Sequence, residues 1–364
     1  MQIFHLEVNG YTNTGEYVRK LSLSIGQDHS VSSIRVFTSQ ENSHGAYGLG
    51  VFRSYGSSGR FRKLFWYVYG WFALSRVLWQ VKEPVIFHVH WLKLAIIDNF
   101  FLGLLKRKRG ISIVFTVHNL LPHERMPFDR FFYKKIYRKM DCLIFHTTQN
   151  QKDFDQLFPE IQLVRSIVPH YSYDVVPEIP AVRDKVRFLF FGAIRPYKGL
   201  PIMLEALSKL SDEYNWDVTI AGKVETSIDE LKLMSQSDLR LKGKVLWNTG
   251  WIEEEELDQL FRQAHVVILP YLRIDNSGLV HLAMSYGKTV VVPKIGAFLD
   301  LIEDGINGYF FQAGSPESLK AVLEQVVTES AFQEVGARAI KSMANRSLPV
   351  IGKMLVDVYH KVIK

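Results

Sequence analysis

The sequence predicts an α/β protein made of two consecutive doubly wound domains. Three observations carry this. Short runs of β-branched and aromatic residues alternate with longer helical patterns. The alternation stops at a proline-bearing stretch and then resumes. The runs end on histidine in the first half and on glycine or proline in the second. A length of 364 residues suits two domains. With 47% apolar and 22% charged residues, the chain is composed like a packed globular protein.

In chain order, Val85 to His90, Ile113 to His118 and Cys142 to His146 read as buried strands. Leu94 to Arg107 and Phe128 to Met140 read as the helices between them. Residues 1–175 form the expected first domain and 176–186, with two prolines and no period, the linker. In the second domain, 187–345, strands fit Arg187 to Gly192, Asp217 to Ala221, Lys244 to Trp247, His265 to Pro270 and Thr289 to Val292. Helices fit Leu200 to Leu210, Glu253 to Arg262, Ser277 to Tyr286 and Pro316 to Val326. Residues 346–364 read as a final helix with one broad apolar face. Ligands of open parallel sheets bind at the carboxyl ends of strands, so a cleft between two facing domains is the expected site.

Several classes drop out. A single cysteine leaves no disulfide framework or thiolate zinc site and suits a reducing compartment. The start MQIFHLEVNG lacks the pattern of a cleaved signal peptide, and no apolar run approaches the length of a membrane span. The net charge of +7 is unevenly placed: residues 60–139 hold 16 Lys and Arg against 4 Asp and Glu. Arg60, Arg62, Lys63, Phe65, Trp66, Tyr67, Tyr69, Trp71, Phe72, Arg76 and Trp79 form a basic, aromatic segment. It suits either a packed crossover helix or an interfacial helix on anionic lipid. No nucleic-acid motif accompanies it.

The strongest local signal is Phe190-Phe191-Gly192-Ala193-Ile194-Arg195-Pro196-Tyr197-Lys198-Gly199-Leu200, a strand, a glycine, two cations three apart and a helix start. Such a loop either sets Arg195 and Lys198 against a phosphate or is a solvated turn. The second signal runs from Leu269 to Pro293. There Asn276 or Ser277 suits an N-cap, and Gly278 leaves the backbone open to a ligand. Gly287-Lys288-Thr289 fails as a P-loop, because Leu282 stands where the first glycine is required. Asp153 and Asp155 read as a solvated helix face. His88 and His90 are expected on opposite faces of their strand, unable to share a metal, and His118, at a strand end, as a polar residue of the site.

The blocks FGAIRPYKGL and LPYLRIDNSGLVHLAMSYGKTVVVP, followed by Gly296 and Ile302 to Tyr309, resemble the GT-B glycosyltransferases of family 4. FHVHWL and FTVHNLLPHE resemble bacterial members that build surface polysaccharides. The chain departs from the family's Glu-x7-Glu pair, with Ile274 and Leu282 in those positions and Asp275 beside the first. The resemblance implies a GT-B fold, two Rossmann-like domains facing across a cleft, with the last helix returning to the first domain. It implies a cytoplasmic transferase, peripheral at the inner face of the plasma membrane. This enzyme would move a sugar from a UDP- or GDP-sugar to a glycan or polyprenyl-diphosphate-linked acceptor, with retention and without cofactor or metal. Catalytic roles fall to His118, Asp275, Arg195 and Lys198. Substrate contacts fall to Gly10, Gly192, Gly222, Gly250, Trp251, Ile252, Tyr271, Asn276, Ser277, Gly278, Leu279 and Glu303. Two alternatives are a sugar-nucleotide epimerase and a non-catalytic nucleotide-sugar-binding protein on the same fold.

Overall fold

The computed structural model describes the chain except residues 9–12, 40–47, 54–58, 123–126, 179, 182–183, 364 and the side chains of 13 and 14. It divides into two compact units, Met1–Pro169 with Leu348–Lys364, and His170–Ser347. The division lies at Pro169-His170, ahead of the stretch 176–186 that the prolines suggest.

The first unit is built on a seven-stranded sheet, with β1 (Gln2–Leu6), β2 (Ser33–Thr38), β3 (Gly48–Gly50), β4 (Val85–Val89), β5 (Ile111–Thr116), β6 (Cys142–Phe145) and β7 (Val164–Ile167). The order is β3-β2-β1-β4-β5-β6-β7, every pair parallel. Strands β4, β5 and β6 are buried at every position. Helices cover both faces of such a sheet, so these strands read as unbroken apolar runs. Helices α1 (Asn13–Ile25), α2 (Arg60–Gln80), α3 (Ala95–Leu105), α4 (Asp129–Tyr137) and α5 (Thr148–Leu157) make the crossovers. Helix α2 buries Tyr67, Gly70, Trp71, Leu74, Ser75 and Leu78, the three-and-four spacing of one helix face. Gly70 is small because the Phe52 ring lies where a Cβ would be.

The second unit holds β8 (Val186–Phe191), β9 (Trp216–Gly222), β10 (Val245–Thr249), β11 (Val266–Ile268), β12 (Thr289–Pro293) and β13 (Tyr309–Phe311), in the order β10-β9-β8-β11-β12-β13, again all parallel. Its helices are α6 (Leu200–Ser208), α7 (Asp229–Ser237), α8 (Glu254–Gln263), α9 (Gly278–Ser285), α10 (Pro316–Glu329) and α11 (Phe332–Met343). Strand order reverses between β1 and β4 in one unit and between β8 and β11 in the other. Such switch points open a crevice at the strand ends. The last helix, α12 (Leu348–Val362), packs on α1 in the first unit, where Ser24 Oγ donates to the Leu348 carbonyl at 2.9 Å.

The strands named from sequence lie within about two residues of those observed. Strand β3 has only Gly-Leu-Gly, and edge strand β7 is half exposed, so neither shows an apolar run. Among the described residues, no helix is long and apolar enough to cross a membrane.

Candidate functional site

In the second unit the site grows from the ends of β8, β9 and β11. The chain leaves β8 at Gly192, and residues Pro196–Lys198 form a 3-10 turn closed by Gly199. This turn docks on the exit of β11, with the Leu272 amide donating to the Tyr197 carbonyl at 2.8 Å. Gly199 has φ +69°, and a Cβ there would overlap the Pro270 carbonyl oxygen. The docking buries Lys198, whose amine lies 3.8 Å from the centroid of the buried Tyr271 ring. Burial first, and the Arg195 charge second, push the Lys198 amine down to about 7.

The two cations are not equivalent. Arg195 forms an ion pair with Glu225 and remains 40% exposed, whereas Lys198 is 9% exposed. Lys198 is therefore the desolvated charge, and Arg195 is shared with a carboxylate that the local motif does not reveal.

Helix α9 begins beside them. Its N-terminal boundary is Ser277, which makes no side-chain cap; Asn276 instead accepts from the Ser277 amide at 2.9 Å. The first-turn amides thus receive no side-chain cap, and a helix start of this kind favours an anion. Leu279 packs against Gly192, where an added Cβ would come within 2.7 Å of Leu279 Cδ1. Gly222 has φ +138°, and a Cβ there would overlap the Gly192 carbonyl oxygen. Gly192, Gly222, Lys198, Tyr271, Ser277, Gly278 and Leu279 are thus gathered at the sheet's carboxyl edge.

The remaining expected residues are less enclosed. Gly250 follows β10 and donates its amide to the Gly222 carbonyl at 3.1 Å. Trp251 is 73% exposed, Ile252 and Asp275 are half-buried, and Glu303 is exposed. Gly10 lies outside the described residues. Leu282, in place of an acid, is buried in the apolar cluster around Ala283 and Met284. Lys288 follows the αL residue Gly287 between α9 and β12, and its amine is held by the carbonyls of Glu178 and Arg262. It is a structural lysine, consistent with rejection of a P-loop.

The first unit gathers five histidines at the carboxyl end of its sheet. One expectation is corrected here: His88 and His90 share a face, because residues two apart along a strand point the same way. Their ring centroids are 4.0 Å apart. The register pairs His5 with His88, and His5 Nδ1 shares a hydrogen bond with His90 Nε2 at 2.9 Å. The ring nitrogens of His5, His88 and His90 come within 4.8 Å of one another, close enough for a three-imidazole metal site. His88, however, already engages Tyr359 Oη and Thr116 Oγ1, each at 2.7 Å. The three rings form a hydrogen-bonded core. Next to them, His146 Nε2 lies 3.3 Å from His118 Nδ1, and Tyr17 meets both rings edge-on. Neither His5, Tyr17 nor Tyr359 carries a local motif, so sequence reading passes over them.

This core makes the first unit acid-sensitive. Burial pushes His88 and His90 well below the ordinary imidazole value and His146 down to about 4. Their contribution is present above about pH 6.5 and is lost as pH falls toward 4. Asp98 opposes them: burial raises it to about 7, despite hydrogen bonds from Tyr67 and Trp71. Below pH 6.5, unfolding lets three histidines bind protons while Asp98 releases one. We expect unfolding free energy to fall as pH drops below 6.5, with a slope that grows toward a limit of about 2.7 kcal/mol per pH unit near pH 5. Denaturant melts would check this, with His146→Gln reducing the slope by about 1.4 kcal/mol per unit. A flat profile would contradict the buried-neutral assignment.

Residues 176–343 match the family model of glycosyl transferases group 1. An uncharacterized glycosyltransferase of Methanocaldococcus jannaschii is 28% identical over 48% of this chain and 45% of its own length. A GDP-mannose:glycolipid 4-beta-D-mannosyltransferase of Xanthomonas campestris is 24% identical over 62% of this chain and 66% of its own. The aligned part is thus less than two thirds of either relative. In fold, the chain is similar to sucrose-phosphate synthase from Thermosynechococcus elongatus (TM-score 0.81, 14% identity, 99% and 98% covered). It is also similar to Anabaena HepE solved with UDP-glucose (TM-score 0.78, 14% identity, 99% and 100% covered). The fold is that of the GT-B glycosyltransferases.

Proposed function

We propose that this GT-B chain, whose residues 176–343 match glycosyl transferases group 1, transfers a sugar from a nucleoside diphosphate sugar to a glycan or lipid-linked glycan in bacterial surface polysaccharide synthesis. The observation that carries the reading is the buried Lys198 amine beside the uncapped start of α9 and the strand-end glycines. When the bond from the anomeric carbon to the diphosphate breaks, negative charge grows on the departing oxygen. Fixed cations and amides aimed at that charge lower the barrier without reorganising. Lys198 is the principal cation and Arg195 the second. The amides of Ser277, Gly278 and Leu279 add the helix-start dipole. These groups take the place of a divalent ion, so transfer is metal-independent. Backbone groups of Gly250, Trp251 and Ile252 hold the base, and Tyr271 packs beneath Lys198. His118 and Asp275 contact the transferred sugar, Glu303 lies toward the donor, and the anomeric configuration is retained. The donor is a UDP- or GDP-sugar and no cofactor is needed.

Two experiments test this reading. A thermal-shift screen of UDP, GDP, ADP and their sugars should raise the melting temperature for one nucleotide series, since a ligand bound only by the native state stabilises it. Loss of transfer on chelation, restored only by a divalent ion, would refute metal independence. Consumption of sugar nucleotide with no acceptor present would favour epimerisation. Binding with no transfer to any acceptor would favour a non-catalytic protein, to which the apolar Leu282 lends support.

The first unit is proposed as the acceptor side, docked peripherally on the inner, anionic face of the plasma membrane. Helices α2, α3 and α4 pack in sequence, and Phe61 of α2, Ile96 and Phe100 of α3 and Phe131 of α4 are all exposed, at 90%, 65%, 64% and 52%. All four lie within residues 60–139, which carry the basic excess, the combination that favours an anionic interface. We expect co-sedimentation with phosphatidylglycerol-containing vesicles and about a tenfold loss for Phe61→Ser, the cost of one buried aromatic side chain. Equal binding to neutral and anionic vesicles at low salt would refute the electrostatic part.

A further inference from the structure

Two buried side-chain donors of the second unit have no hydrogen-bond acceptor among the described residues. The Lys198 amine lies over the Tyr271 ring at 3.8 Å and near the Tyr197 ring at 5.5 Å, with no carboxylate or carbonyl partner. The Tyr271 hydroxyl is fully buried and makes no hydrogen bond. It faces Ser277, whose side chain leaves the start of α9 uncapped. An ammonium and a phenol buried in this way each carry a desolvation cost that no protein acceptor offsets. Such groups call for a partner from outside the chain.

The ring accounts for a charge in this place. An aromatic face attracts an ammonium and occupies none of its N–H groups, so all three stay available to oxygen. The neighbouring charges lie on the same turn and on the exit of β11. Arg195 disfavours the ammonium, and Glu225 shares Arg195. Arg273 stacks over Tyr197 at 5.7 Å. The first turns of α6 and α9 hold no acid.

We infer that Tyr271 is a positioning residue of the anion site: its ring holds Lys198 with three N–H groups open to phosphate oxygens, and its hydroxyl orients the Ser277 hydroxyl toward the bound diphosphate. The inference deepens the transferase reading and rests on it for the ligand, but the ring–amine pair does not. Tyr271 is itself enclosed, so it acts only through these two neighbours. When Ser277 donates to a phosphate oxygen, its own oxygen accepts from Tyr271, and the loose contact tightens.

The test uses the full chain labelled with 13C at lysine Cε, the Lys198 signal being the one lost in Lys198→Ala. In the wild type the Lys198 Cε protons should lie upfield of the other lysines, shifted by the ring beneath them, and the amine should titrate at about 7. Tyr271→Phe keeps the ring and should keep that midpoint. Tyr271→Leu removes the ring and should lower the midpoint by about one pH unit. An unshifted wild-type signal overturns the ring's role even where the leucine variant fails to fold, and so does one midpoint for all three proteins.

Titration calorimetry with UDP and GDP reads the hydroxyl. Tyr271→Phe should bind about fivefold more weakly at every pH, yet melt no lower than the wild type, because it removes a buried hydroxyl without a partner. In a Ser277→Ala background the same substitution should have no further effect, since residues that act together are not additive. A loss that persists in that background, or a lower melting temperature, overturns the hydroxyl's role. Relative to Tyr271→Phe, Tyr271→Leu should bind about tenfold more weakly at pH 8 but only about twofold more weakly at pH 6, where the amine regains its proton. Equal losses at both pH values would mark a merely structural role and overturn the inference. A wild type that shows the shifted Lys198 signal yet binds neither nucleotide would refute the transferase reading and leave the ring–amine pair intact.

Discussion

If the proposed transferase reading holds, replacing Lys198 with alanine should lower kcat/KM by about 10²–10³-fold, the loss expected when one preorganised donor to a developing anion is removed. The magnitude follows from where the amine sits. It is buried, held over the Tyr271 ring at 3.8 Å and supported by a turn docked on Pro270 to Leu272. A charge in such a place is poorly screened by water, so it interacts strongly with a diphosphate. Burial also gives this interaction a pH signature. Without ligand the amine sits at about 7, so near neutrality a substantial fraction is uncharged. A bound diphosphate raises that value, so binding takes up a proton. On the proposed function, nucleoside diphosphate affinity should therefore be full below pH 7 and fall as pH rises above it, by up to about tenfold per unit. In Lys198→Ala this component of the profile disappears. Lys198→Arg should restore charge but not function, because a planar guanidinium does not match the compact site of an ammonium. Wild-type turnover and affinity in Lys198→Ala would remove the residue from the mechanism.

The second large effect is on the backbone that places this lysine. Gly199→Ala should destabilise the second unit by about 3 kcal/mol or more, combining strain at positive φ with overpacking. The residue has φ +69°, and its Cβ would overlap the Pro270 carbonyl oxygen, which belongs to rigid backbone. For a unit of this size the melting temperature should drop by about 10 °C. Gly243→Ala is the matched control. It has φ +78° but nothing within 4 Å of an added Cβ, so only the conformational cost of about 1 kcal/mol applies. The difference between the two variants reports the close approach itself. Residual folded Gly199→Ala should also lose nucleoside diphosphate affinity, because the turn cannot keep both its docking and the position of Lys198. Equal melting temperatures for the two variants would show that the turn moves aside freely.

Much of the fold is legible along the chain because parallel strands covered on both faces leave continuous apolar runs. Val85 to Val89 and Ile111 to Thr116 are such strands, buried throughout. In the second domain the strand at Val186–Phe191 and the helix at Pro316–Glu329 are equally plain, whereas the helix Asp229–Ser237 and the strand Tyr309–Phe311 are not read from the sequence. Elements with little apolar sequence escape, as Gly48–Gly50 and the half-exposed Val164–Ile167 do. In the site, Gly192, Lys198 and Ser277-Gly278 stand out because a strand end, a glycine and a helix start follow each other locally. Glu225, which claims Arg195, does not stand out, because it lies 30 residues away on the next strand's exit.

By itself, the sequence determined the properties set by short-range order. These are the two α/β series, the glycine-terminated strands, the cationic turn, the missing acidic pair and the concentration of basic and aromatic residues between 60 and 139. Tertiary structure alone decided which cation is desolvated, because Lys198 is buried only when its turn meets Pro270 and Tyr271. It also decided the histidine core, since His5 and His90 are 85 residues apart and His88 meets Tyr359 across 271. Burial and hydrogen-bond direction depend on which strands and helices become neighbours. Strand register brings residues distant along the chain within hydrogen-bonding distance, and no local pattern encodes that register.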